Sequence, residues 1–68
     1  MPTTFMESEK LKHLLEHWIE HNVEHIEKYK EWAEKIGSES PQVAEILDKA
    51  IEKFEEGNKL LERAFNSL

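Results

Sequence analysis

One short break punctuates this chain and decides most of what it can fold into. From Phe5 to Ile36 there is neither Gly nor Pro, and apolar residues recur every third or fourth position. Gly37-Ser38-Glu39-Ser40-Pro41 then gathers helix-stopping and helix-starting residues, and a second periodic stretch runs to Asn66. Gly is the usual residue just past a helix end, because it adopts the left-handed conformation without a Cβ clash. Ser followed by Pro reads as N-cap and first helical residue. Upstream, Thr4 and Glu7 have capping-box spacing, which starts a helix near Phe5. The expectation is an all-α fold: helix one over about 5–36, a loop at 37–40 and helix two over about 41–66. Two long helices joined by so short a loop form an antiparallel hairpin, here a single domain spanning 1–68.

The apolar spacing alternates steps of three and four, the signature of a coiled-coil seam. On helix one the predicted seam is Leu11, Leu15, Trp18, Asn22, His25, Tyr29, Trp32 and Ile36. On helix two it is Val43, Leu47, Ala50, Phe54, Gly57, Leu61, Ala64 and Leu68. Folded back on the loop, Ile36 meets Val43, Tyr29 meets Ala50, Asn22 meets Gly57, His25 meets Phe54, Trp18 meets Leu61 and Leu11 meets Leu68. Two flanks keep apolar residues outside this seam. One carries Ile19, Ile26, Ala33, Ala44, Ile51, Asn58 and Phe65. The other carries Leu14, His17, His21, Trp32, Ile46 and Leu60. A lone hairpin would leave such patches wet, so a homodimer forming a four-helix bundle is expected. The sequence leaves open which flank the second copy covers.

Sixty-eight residues bury only a modest core, and domains of this size often need a staple. Without cysteine, neither a disulfide nor a thiolate metal site is available. Histidine or carboxylate metal ligation and self-association remain. Nine basic against fifteen acidic side chains give a net charge of −6, which argues against nucleic acid as a partner, since its binding rests on Lys and Arg meeting phosphates. Met1-Pro2-Thr3-Thr4-Phe5-Met6-Glu7 has neither the basic nor the apolar region of a secretory leader. No run has the roughly 18 apolar residues of a membrane span. A cytoplasmic protein without a membrane partner is expected.

His13, His17, His21 and His25 recur at every fourth residue. On an α-helix each such step advances about 6 Å along the axis and about 40° around it, so the imidazoles form a slowly turning stripe. Neighbours at i and i+4 can close on one metal ion. His21 and His25 lie nearest the inner side, His17 adjoins them and His13 has turned toward solvent. His17 and His25 are about 12 Å apart along the axis, too far for two bonds of 2.0–2.1 Å to one zinc-sized ion. A second chain crossing antiparallel near His21 would bring its His25 toward His17. Imidazole suits nickel, zinc, copper and iron alike. Other metal motifs are absent: residue 18 is Trp, which excludes H-E-x-x-H, and no Glu stands three residues before a histidine as di-iron bundles require. The serines cluster near caps and ends, so no catalytic role is expected.

His17-Trp18-x-x-His21-x-x-x-His25 resembles the HWxxHxxxH motif of the CooJ-type nickel-binding proteins, accessory factors in carbon monoxide dehydrogenase maturation. The resemblance implies a dimeric coiled-coil domain with nickel at the subunit interface. It also implies His17, His21 and His25 as ligands, Trp18 as the motif's aromatic and a nickel enzyme as client. The histidine-rich C-terminal tail of those proteins has no counterpart here, where the chain ends in Asn66-Ser67-Leu68. Ni2+ is therefore the expected ion, with Zn2+, Cu2+ and Co2+ as other ions the imidazoles accept. The competing expectation is a helical dimerisation or protein-interaction module whose histidine stripe responds to pH, because protonated neighbours at i and i+4 repel.

Overall fold

In the computed structural model the chain is two α-helices, α1 (Pro2–Ile36) and α2 (Pro41–Asn66), packed against each other as an antiparallel hairpin. Backbone is described from Pro2 onward and side chains from Glu7 onward. The hairpin is a rod of 57 × 15 × 13 Å. Its radius of gyration of 16.3 Å exceeds the roughly 11 Å of a compact domain of this length.

α1 begins at Pro2, upstream of the expected start, so Thr4 is inside the helix rather than its N-cap. A proline is well placed in a first helical turn: its φ is already helical and its missing N–H has no partner to lose. The side chain of Thr4 lies outside the described residues. At the other end, Gly37 N–H donates to the carbonyls of Ala33 (3.1 Å) and Glu34 (3.3 Å). Gly37 does so without a left-handed φ, contrary to expectation. Its lack of a side chain serves packing instead: a Cβ there would sit 3.3 Å from the Glu34 carbonyl and 3.9 Å from Ala44 Cβ. The loop closes with Ser40 N–H on the Ile36 carbonyl at 2.8 Å. Ser40 occupies the N-cap of α2, followed by Pro41, but its hydroxyl makes no capping bond.

The seam differs from the expected one by a rotation of both helices. The most buried apolar residues are Leu15, Ile26, Ala33 and Ile51, with Ile26 and Ile51 each 6% exposed. Ile26, Ala33 and Ile51 form one cluster, with Tyr29 and Leu47 packed against it. Leu15, Asn22, Tyr29 and Ile36 face inward as expected, but their companion row is Ile19, Ile26 and Ala33. On α2, Leu47 and Leu61 keep their places, and the companion row is Ala44, Ile51, Asn58 and Phe65. One expected flank is thus half of the true seam. Most of the two rows it displaces faces outward: Trp18 is 43% and Trp32 61% exposed, and Leu11, His25, Val43, Gly57 and Ala64 are exposed as well, as are Phe54 and Leu68 of the retained α2 row. The reason is volume. Ile26 and Ala33 are compact and cluster with Ile51, whereas two tryptophans on one row would force the helices apart.

A polar layer interrupts the seam. Asn22 Nδ2 donates to Asn58 Oδ1 at 3.0 Å, and Asn58 Nδ2 donates to the Ile19 carbonyl at 3.4 Å. Asn22 therefore faces Asn58, not Gly57. Asn58 is 7% exposed, and no buried side-chain polar atom among the described residues lacks a partner. Stepping outward from this pair in both directions brings Tyr29 toward Ile51 and Leu15 toward Phe65, the constant register of an antiparallel coiled coil. Asn58→Ala should cost about 1–3 kcal/mol in urea denaturation, because it strands the amide of Asn22. Replacing both asparagines by leucine should recover that loss, since two satisfied polar groups leave together.

One long edge of the hairpin carries Lys30–Glu55 at 3.0 Å, the ion pair joining the two helices. The hydrogen bond and the charge of Glu55 hold the Lys30 ammonium above its ordinary pKa; Glu27 adds to this and desolvation opposes it. A raised lysine stabilises the fold at neutral pH and loses that contribution only as strongly alkaline pH removes the proton. Both partners are about half exposed, so solvent screens the pair.

Candidate metal centre

The opposite long edge carries the histidines. In heptad terms Leu14, Trp18, His21, His25 and Trp32, with Lys28 and Lys35, each stand one residue before an inner-seam position, so they form a second stripe on α1. Val43, Ile46, Ala50, Gly57 and Leu60 do the same on α2. Both stripes border the same groove, of about 360 Å³, whose lining includes His25 and Phe54 along with Gly57 and Asn58.

All four histidines are exposed in the single chain. His25 was expected in the seam and instead stands at the rim of the groove. The ring of His17 stacks on that of His21, with centroids 5.8 Å apart and planes at 17°. His21 and His25 approach more closely, with centroids 4.4 Å apart and planes at 75°. Their Nε2 atoms are 2.9 Å apart, one ring donating its N–H to the other. His13 makes none of these ring contacts. The stripe continues one step further than the histidines: the ring of Tyr29 lies 6.0 Å from that of His25 and 5.2 Å from that of Phe54. Fourfold spacing from His25 to Tyr29 was the sequence signal for this continuation.

The winding of the α-helix explains the order. Each step of four turns the row by about 40°, so it passes from solvent at His13, through the rim at His21 and His25, to the seam at Tyr29. Tyr29 is held by Phe54 and the Ile26–Ile51 cluster. His25 therefore rests on a ring that is itself packed, the support a ligand needs to keep its rotamer.

The 2.9 Å separation has a chemical meaning. With metal–nitrogen bonds of 2.0–2.1 Å, two donors at a right angle stand about 2.9 Å apart, and two at a tetrahedral angle about 3.3–3.4 Å. The His21–His25 pair stands at hydrogen-bond distance, close enough for small rotamer changes to turn both nitrogens onto one ion. Metal entry would replace the proton the two nitrogens share, since both must then present lone pairs. Among the described residues no group of three His, Cys, Asp or Glu side chains comes together within one chain to hold an ion. One chain brings His21 and His25 together and leaves His17 a ring's width away.

Glu24 joins His21, His25 and Lys28 around a shallow depression. Beyond Glu24 this edge is poor in acid. None of the stripe positions on either helix from Leu14 to Leu60 is Asp or Glu, although the chain has fifteen acidic residues. The acids lie on the outward faces and the Lys30 edge.

Fold and edge together define a class: a small helical hairpin with an apolar, imidazole-bearing side. The chain belongs to the family described as a domain of unknown function (DUF8180), which matches it over residues 11–68. It is also similar to an uncharacterised protein of Archaeoglobus fulgidus, 48% identical over 56 residues, a match covering 82% of this chain and 90% of that protein. No solved structure matches the chain. No described helix is long and apolar enough to cross a membrane.

Proposed function

We propose that this protein is a non-catalytic, cytoplasmic metal-binding factor that holds Ni2+ through His17, His21 and His25 of two chains. The observation that carries this reading is the pair of Nε2 atoms 2.9 Å apart on successive turns of α1. Two imidazoles one turn apart can close on one ion, and imidazole suits nickel, copper and zinc alike. The resemblance of His17-Trp18-x-x-His21-x-x-x-His25 to the CooJ-type motif favours nickel over copper. In that reading the protein handles or delivers the ion, and its client is a nickel enzyme.

Two chains crossing near His21 supply what one lacks. Each gives the His21–His25 pair, and His17 of one chain approaches His25 of the other. The apolar residues beside the imidazoles then exclude water from the site, which strengthens each bond between donor and ion.

A second reading rests on the same contact. The His21–His25 hydrogen bond requires one ring to be neutral, so acid would break it and place two positive charges side by side. A pH-sensitive interaction module would use that without any metal. Titration of the purified protein with nickel and with zinc at neutral pH, followed by sedimentation, separates the two. The metal reading expects saturable nickel uptake by associated chains, tighter than zinc. At a free nickel concentration 100 times Kd it expects about 2.7 kcal/mol of added stability. Absence of uptake of any transition ion at neutral pH leaves only the interaction module.

A further inference from the structure

Gly57 is the residue the hairpin alone does not explain. It lies in the middle of α2, where glycine is less favourable than alanine for a helix. Its backbone has no left-handed φ that would call for glycine. Nor does α1 crowd it: a Cβ built at Gly57 meets nothing within 4 Å. Neither conformation nor packing inside the chain calls for a missing side chain. What remains is close approach from outside.

The exposed surface indicates what approaches. The chain exposes 5811 Å². A compact monomer of 8.1 kDa exposes about 4,500 Å². The excess is about 1,300 Å² per chain, against the roughly 800 Å² per partner that a stable interface buries. The largest exposed apolar side chains on the histidine edge, Trp18, Trp32, Ile46 and Leu60, lie on both helices. The stripes that carry them hold no carboxylate, in a chain of net charge −6. A second copy brought face to face there meets no acid against acid.

We infer that this edge is a two-fold interface between copies of the chain, and that Gly57 is the point where α2 of one copy crosses α2 of the other. With the α1 helices crossing antiparallel near His21, the two-fold axis runs across the rod, so α1 lies on its counterpart and α2 on its own. His25 and Gly57 line one groove, so an α1 crossing near His21 carries the α2 crossing to the level of Gly57. Bare backbone there lets the two α2 helices approach closely and draws the imidazoles of both chains together. The inference rests on the dimeric reading of the metal site and adds where the partner sits.

The test compares wild type, Gly57→Ala and Gly57→Leu as full-length chains, by circular dichroism and sedimentation equilibrium, with and without nickel. In both variants the helix content of the dilute chain should equal or exceed that of wild type, because the site is open and glycine is the poorer helix former. Self-association should fall about tenfold for alanine and at least a hundredfold for leucine. Lys30→Ala, on the other edge, should associate like wild type. If Gly57→Leu associates as tightly as wild type, or wild type is monomeric with and without nickel, the crossing is wrong. A wild type that takes up no nickel yet dimerises in a Gly57-dependent way rejects the metal reading and retains the interface. Nickel uptake by a wild type whose association ignores Gly57 does the reverse.

Discussion

Replacing His21 with alanine should lower nickel affinity at least a hundredfold and leave the helix content of the metal-free chain unchanged. His21 is the central ring of the stripe, stacked on His17 and within 2.9 Å of His25 Nε2. Removing it deletes one of the two nitrogens that one chain brings together, and leaves His17 and His25 about 12 Å apart along the axis. The fold should not notice. His21 is exposed, and alanine is the better helix former. Calorimetric titration with nickel, paired with circular dichroism of the apo protein, reads both halves of the expectation. His13→Ala is the matched control, since that ring makes none of the contacts in the row, and it should bind nickel nearly as wild type does. Wild-type affinity in His21→Ala would remove the pair from the site.

Ile51→Ala should be the most damaging small change to the fold. Ile51 is 6% exposed and belongs to the cluster with Ile26 and Ala33. Truncating a buried Ile to Ala costs about 2–5 kcal/mol, and a core of this size rarely supplies more than about 3–5 kcal/mol in all. Thermal melting at low protein concentration should show a chain that is largely unfolded, or one whose midpoint has dropped by tens of degrees. Trp32→Ala offers the contrast. Trp32 is 61% exposed, with Lys35 Nζ 4.7 Å above its ring, so the same measurement should find only a small loss. Equal losses for the two variants would restore the seam expected from spacing alone.

That contrast shows where the sequence is legible. The helix–loop–helix order and the loop at 37–40 follow from Gly37, Ser40 and Pro41, because those residues act through local backbone chemistry. Both inner rows that include Leu15, Asn22, Leu47 and Leu61 follow from heptad spacing. The companion rows do not, because each helix has apolar residues on both sides of its inner row. Spacing cannot tell Trp18 and Trp32 from Ile19 and Ile26; volume can, and volume is judged only once two helices are set against each other. The Asn22–Asn58 bond was missed for the same reason, since a one-residue rotation of α2 exchanges Gly57 for Asn58. The imidazole stripe was legible in full as a stripe, as it needs one helix and its pitch. The distance between His21 and His25 depends on rotamers and was not.

The tight loop between the helices has a kinetic consequence. Only Gly37 to Ser40 separate Ile36 from Pro41, so the first contacts across the hairpin, near Ala33 and Leu47, close a short span of chain at little entropic cost. Pairing can then zip outward from the turn, and helical topologies of this kind reach their native state in microseconds to milliseconds. Each chain would be fully formed long before it meets another at cellular concentrations. Assembly then proceeds between finished rods, and the slow, concentration-dependent step is their encounter.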